Sequence, residues 1–144
     1  MAKSDQADQK VNSLRSIWLF SGCNKKELAL LERACDEADA PAGTLICEEG
    51  HSGRDFYLIL SGEARVEKGG AEVAILGAGS HFGELSLLDH QPRSASVIAV
   101  TPMKLMTLSA REFISVLEEI PSMAQRLLEA MSLRLREADE RAFG

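Results

Sequence analysis

No run in this 144-residue sequence approaches the roughly 20 apolar residues that a membrane-spanning helix needs, and the start MAKSDQADQK lacks a secretory core. Cysteine is scarce and badly spaced for metal or disulfide chemistry. Cys23, Cys35 and Cys47 are odd in number and form no CxxC pair, so neither a disulfide framework nor a zinc site is expected. Positive charge is also short, with 16 Lys and Arg against 22 Asp and Glu and a formal net charge of -6. A nucleic-acid binder shows a basic patch or stripe, so no nucleic-acid partner is expected. There is no internal repeat and no low-complexity segment. These absences leave a cytoplasmic globular chain without a membrane partner, long enough for one domain burying roughly two-thirds of its unfolded surface.

What is present changes its period along the chain. Residues 1–10 are polar and expected to be disordered, with a single domain over 11–144. The apolar knot IWLF precedes Asn24-Lys25-Lys26-Glu27, an N-cap with an acid three positions on. Leu28, Leu31 and Cys35 then fall at helical spacing, predicting a helix over about 25–36 that Pro41 and Gly43 close off. From Thr44 the period is two. Strands are predicted at 44–47, 55–60, 63–68, 72–76, 94–99 and 104–108, with glycine-bearing turns between them. Many short strands at this spacing read as a sandwich or barrel, jelly roll among them.

Helical signals return at Ser109. Ser109 with Glu112 forms a capping box, and Ser122 with Gln125 repeats the pattern after Pro121. Ala124, Leu127, Leu128, Met131, Leu135 and Ala138 make one apolar stripe opposite Arg126, Glu129 and Glu137. The fold class is therefore α+β, mainly β: an N-terminal helical segment, a β-roll over about 38–109, and C-terminal helices over about 110–141.

The stretch FGELSLLDHQPRSASV, Phe82–Val97, carries the chemistry. Glycine before a short helical turn leaves backbone N–H groups without internal partners, which makes an anion seat, and the Ser86 hydroxyl adds a donor. Pro92 fixes the entry to a strand, and Arg93 supplies a planar fork matching two phosphate oxygens. Ionised Glu84 only accepts, so it suits a hydroxyl and not a phosphate. A singly charged phosphate beside a hydroxyl satisfies all three groups. The bland readings, a solvated arginine at a strand start and an acid in a helix's first turn, each explain one residue and not the pair.

This stretch resembles the phosphate-binding cassette of the cyclic nucleotide-binding domain family. EEGHSGRDFYLILSGEARV, Glu48–Val66, is similar to the family's glycine-framed strand pair, and the likeness covers residues 12–140. It implies an eight-stranded antiparallel β-roll with C-terminal lid helices. It further implies that Glu84 accepts the ribose 2′-hydroxyl and that Arg93 pairs with the cyclic phosphate. The backbone at Gly83, Leu85, Ser86 and Ser94 cradles phosphate and sugar. Phe82 and Ala95 complete the cassette, and Ser96 is placed to touch the base. Ser86 stands where alanine is common and Ser96 where threonine is, both small. A hydroxyl at Ser94 is associated with tolerance of guanine, so the ligand is read as cyclic AMP with cyclic GMP as competitor. Arg134, on the lid helix, is the candidate to stack on the purine.

Jelly rolls also host metal enzymes, but His81-Phe82-Gly83 lacks the second histidine of a His-x-His pair, and His90 falls between Asp89 and Gln91. No metal, no catalytic residue and no enzyme activity are expected, and no cofactor beyond the ligand. The expected function is a stand-alone cyclic nucleotide sensor that repositions its last helix, a monomer or weak dimer acting on an unidentified downstream protein. Two alternatives stand beside it: an interaction module with a vestigial pocket, and the sensory part of a transcription regulator without its DNA-binding domain. The start at Met1 is the expectation for a whole protein, and the end at Gly144 leaves no room for a helix-turn-helix.

Overall fold

The computed structural model describes the backbone of residues 3–143. It divides into two compact units, one of the residues up to Ala34 and from Ile114 onward, the other Cys35–Phe113.

The Cys35–Phe113 unit is built of two antiparallel four-stranded sheets. The strands are β1 (Asp36–Ala40), β2 (Leu45–Cys47), β3 (Asp55–Ser61), β4 (Ala64–Lys68), β5 (Ala71–Leu76), β6 (His81–Phe82), β7 (Ser96–Ala99) and β8 (Met103–Ser109). One sheet runs β1-β8-β3-β6 and the other β2-β7-β4-β5. All six predicted strands are present. The two additional ones, β1 and β6, are short or acidic. Asp36-Glu37-Ala38-Asp39-Ala40 has little β-propensity; it is a strand because β8 pairs with it from Asp36↔Thr107 to Ala40↔Met103. The predicted helix accordingly stops at Ala34 instead of continuing to 36.

Ala40, Cys47, Ile59, Ala64, Val97, Ala99, Met103 and Leu105 form one buried cluster drawn from both sheets. The intervening residues of β3 and β8, Phe56, Leu58, Met106 and Leu108, are buried as well. A strand apolar on both faces reads as the continuous run FYLIL and not as an alternation. At the β3–β4 turn Gly62 has φ 93°, and a Cβ there would stand 2.4 Å from the Pro102 carbonyl oxygen, so this position admits no side chain.

The helical unit contains α1 (Lys3–Arg15), a 3-10 turn at Trp18–Phe20, α2 (Lys25–Ala34), α3 (Ala110–Glu119) from Ile114 onward, and α4 (Pro121–Phe143). The start departs from expectation, since disorder was predicted over residues 1–10 and the backbone is helical from Lys3; Met1 and Ala2 lie outside the described residues. Buried Val11 and Leu14, three apart, anchor the helix, which then extends back to Lys3. The Asn24 capping box forms as predicted: Asn24 N–H donates to Glu27 Oε1 and Glu27 N–H to Asn24 Oδ1, both at 2.8 Å. Ser109 caps α3, accepting the Glu112 N–H at 3.1 Å.

The second predicted box does not have that role. α4 begins at Pro121, which puts Ser122 inside its first turn, and the Ser122 hydroxyl donates to Glu27 Oε2 at 2.9 Å. The apolar face of α4 is also rotated from the predicted one. Met123, Leu127 and Ala130 are buried, whereas Leu128 is 64% and Leu135 66% exposed. Spacings of four and three select either stripe, and the choice lies with the tertiary neighbours.

Candidate functional site

The site is assembled from β6, the residues after it, and the approach to β7. Gly83 follows β6 with φ 82° and ψ 14°, the left-handed conformation that glycine adopts without strain, and turns the chain into the 3-10 turn Glu84–Leu87. The Ser86 N–H donates to the Gly83 carbonyl at 3.1 Å and Leu88 N–H to Leu85 at 3.0 Å, so these amides close the turn. Leu87 is buried and pins it, while Leu85 is 56% exposed.

Arg93 enters from the other side. Its backbone is clamped to the loop before β3: Arg93 N–H donates to the His51 carbonyl at 2.8 Å, and Gly50 N–H donates to the Arg93 carbonyl at 2.9 Å. Pro92, which has no N–H to give, forms a β-bridge with Ser52 just before it. The guanidinium is then held in three ways. Nη2 donates to the Asp55 carbonyl at 2.8 Å, and Cζ lies 6.0 Å from the centre of the Tyr57 ring. The third is space, because Gly53 and Gly83 both face the guanidinium, and a Cβ on either would come within 2.3 Å of one of its nitrogens. Arginine is therefore positioned before any ligand arrives, which lowers the ordering cost of binding.

Around these groups lies a cavity of about 610 Å³, within the range of small-molecule sites. Of the predicted residues, Phe82, Gly83, Glu84, Leu85, Ser86, Arg93, Ser94 and Ala95 line it together. Ser96 is in β7, where its hydroxyl accepts the Glu49 N–H at 2.9 Å. Arg134 belongs to the helical unit, with its guanidinium carbon 4.6 Å from the centre of the Trp18 ring. Cys47, Val66, Lys68 and His81 also line the cavity, and sequence reasoning assigned them no ligand role. Nothing local marks Cys47, Val66 or Lys68. Gly53 was legible as a turn residue, but its partner is 40 positions away and the service it performs for Arg93 was not.

Electrostatics follow from burial. Tyr57 is pushed up to about 12, by desolvation first, then by Cys47 and by the Asp55 carboxylate, with Arg93 opposing. Burial also raises the Cys47 thiol against the pull of Arg93, so it stays protonated at neutral pH. His81 Nε2 stands 3.9 Å from Glu84 Oε2, with both side chains largely buried. The arrangement offers one fixed fork for an oxyanion, one acceptor for a hydroxyl, and apolar wall from Val66, Val97 and Phe82.

Residues 37–120 match the model of the family described as "Cyclic nucleotide-binding domain". The chain is 36% identical over 126 residues to the "Cyclic AMP receptor protein" of Thermus thermophilus, covering 84% of this chain and 58% of that relative. It superimposes with TM-score 0.81 and 30% identity on the N-terminal domain of a transcriptional regulator from Streptomyces coelicolor, over 90% of this chain and 93% of that one. A further match, at TM-score 0.71 and 32% identity, is the regulatory domain of Toxoplasma gondii PKA in complex with cAMP, over 81% of this chain and 46% of that one. The chain thus spans little more than half of the first of these relatives.

Proposed function

The chain belongs to the cyclic nucleotide-binding domain family, and from that premise we propose that it is a sensor of cyclic AMP, with cyclic GMP the competing ligand. The observation that carries the proposal is the seat of Arg93: a guanidinium clamped by Asp55, given room by two glycines, and opening onto the same cavity as Glu84. A cyclic phosphate has one negative charge and two exocyclic oxygens, which a planar fork meets in pairs. The neighbouring ribose keeps a 2′-hydroxyl, which a carboxylate accepts. The cyclic AMP named for the Thermus thermophilus and Toxoplasma gondii proteins supports adenine over guanine.

In this reading the protein performs no reaction. Occupancy is passed to α4, a pre-existing balance of conformations shifts, and a downstream protein in the cytoplasm reads the change. No helix among the described residues is long and apolar enough to cross a membrane.

Titration calorimetry with cyclic AMP and cyclic GMP tests the proposal directly. The wild-type protein is expected to release binding heat with cyclic AMP, and Arg93→Ala to bind it more weakly by about 2–5 kcal/mol of free energy, as for truncating one side of a desolvated charge pair. The single tryptophan, Trp18 under Arg134, reports on α4 in the same samples by fluorescence. Absence of heat with either nucleotide would leave an interaction module with a disused cavity.

A further inference from the structure

A carboxylate is an awkward lining for an anion's cavity, and a histidine stands beside this one. Five side chains that can carry charge line the space: Glu84, His81, Lys68, Asp89 and Arg93. Lys68 and Arg93 cancel Glu84 and Asp89, so the formal charge of the lining is set by His81 alone. It is zero with a neutral imidazole and one positive with an imidazolium.

We propose that His81 makes ligand binding proton-linked, its imidazolium offsetting Glu84 so that the cavity takes an anionic nucleotide more tightly protonated than not. The inference rests on the reading that this cavity binds a cyclic nucleotide. Its geometry is specific. His81 sits in β6, three residues before Glu84, and the Nε2–Oε2 separation is 3.9 Å with the side chains only 27% and 19% exposed. At that burial solvent screens the pair incompletely. The groups around His81 are accounted for by element. The 3-10 turn contributes Glu84, β4 contributes Lys68, and the segment leading to β7 contributes Asp89 and Arg93. From β3 come the uncharged Phe56 ring, 6.2 Å away, and Asp55, whose carbonyl holds Arg93. Histidine is the side chain that changes charge between pH 5 and 8, and a phosphodiester keeps its single charge throughout that range.

The sign follows. The ligand brings a negative charge into the space that His81 faces, so binding favours the protonated ring and takes up a proton. Affinity therefore rises as pH falls through neutrality and levels off once the free protein's own ring is already protonated. The effect is read as about a three- to tenfold change in affinity across that range.

The experiment is calorimetry with cyclic AMP from pH 5 to 8, in buffers of different ionisation enthalpy, on the wild type, His81→Gln and His90→Gln. His90 is exposed and outside the cavity lining. Wild type and His90→Gln are expected to take up a fraction of a proton near neutrality and to bind about three- to tenfold tighter at pH 5 than at pH 8. His81→Gln is expected to be flat. The sequence has three histidines, so proton NMR of the wild type identifies the ring resonance of His81 as the one missing in His81→Gln. Its titration midpoint is expected to move upward when cyclic AMP is added, a readout that does not depend on the variant's affinity. Normal binding with no pH dependence, or equal proton uptake in His81→Gln, overturns the role of His81 while leaving the ligand reading intact. No heat at any pH refutes the ligand reading and this inference with it.

Discussion

Replacing Gly53 with alanine should disable ligand binding while leaving the fold nearly intact. An alanine Cβ at this position would stand 2.0 Å from Arg93 Nε, 2.3 Å from Nη2 and 2.4 Å from Cζ. All three atoms are at the end of a flexible side chain, so the arginine yields and the backbone does not. Gly53 is not among the glycines with positive φ, so alanine is conformationally acceptable there. The folded state loses the Arg93–Asp55 hydrogen bond, worth about 1.5–3 kcal/mol for a charged donor. It regains about 0.4–1 kcal/mol because alanine restricts the unfolded chain. The net cost is about 0.5–2.6 kcal/mol, by difference of those two terms. Binding loses more. A displaced guanidinium forfeits what truncating it would, about 2–5 kcal/mol, hence at least about a 30-fold weaker affinity at 1.36 kcal/mol per decade. Gly79→Ala is the control, since its φ of 88° makes alanine strained but no atom lies within 4 Å of the added Cβ. It should cost about 1–2 kcal/mol of stability with no change in affinity. Urea denaturation and calorimetry on the same preparations separate the two quantities. If Gly53→Ala binds cyclic AMP within threefold of the wild type, the room it leaves for Arg93 is not what the site depends on.

Tyr57 is the one tyrosine, so a spectrophotometric titration of tyrosinate reads it directly, and its midpoint is expected near 12 instead of 10. Its protonated form is favoured by folding, so the stabilisation is complete below pH 10 and is lost as pH rises from about 10 to 12. Tyr57→Phe should flatten that part of the stability curve, and an unshifted midpoint in the folded protein would contradict the burial of its hydroxyl beside Asp55. In α4, Leu127→Ala should cost about 2–5 kcal/mol, as for a buried leucine. Leu128→Ala, at an exposed position, should stay within about 0.5 kcal/mol in urea denaturation. Equal costs would mean that the helix is rotated from the orientation described.

The signals that could be read without the fold were short-ranged. Asn24 and Glu27 are three residues apart and cap each other wherever the rest of the chain goes. The alternation of Glu63–Glu67 and the turn glycines likewise declare strands to their immediate neighbours. The acidic strand β1 was invisible because its identity is imposed by β8, about 70 residues downstream. The α4 stripe was misjudged by one position for the same kind of reason: leucines at 127 and 128 fit the helical period equally well, and only packing separates them.

For the site, the amino-acid order alone singled out Gly83 to Glu84 and Pro92 to Arg93 and the chemistry they offer, a fork for an oxyanion and an acceptor for a hydroxyl, because each group's donor or acceptor character belongs to the residue itself. Tertiary structure decided where those groups point. Arg93 faces the cavity because Gly53 and the Asp55 carbonyl, 40 and 38 positions earlier, leave it one seat. His81 meets Glu84 there, and Lys68 joins them from a different sheet. Steric room and local field depend on atoms brought together by chain closure, and no spacing along a strand or helix encodes them.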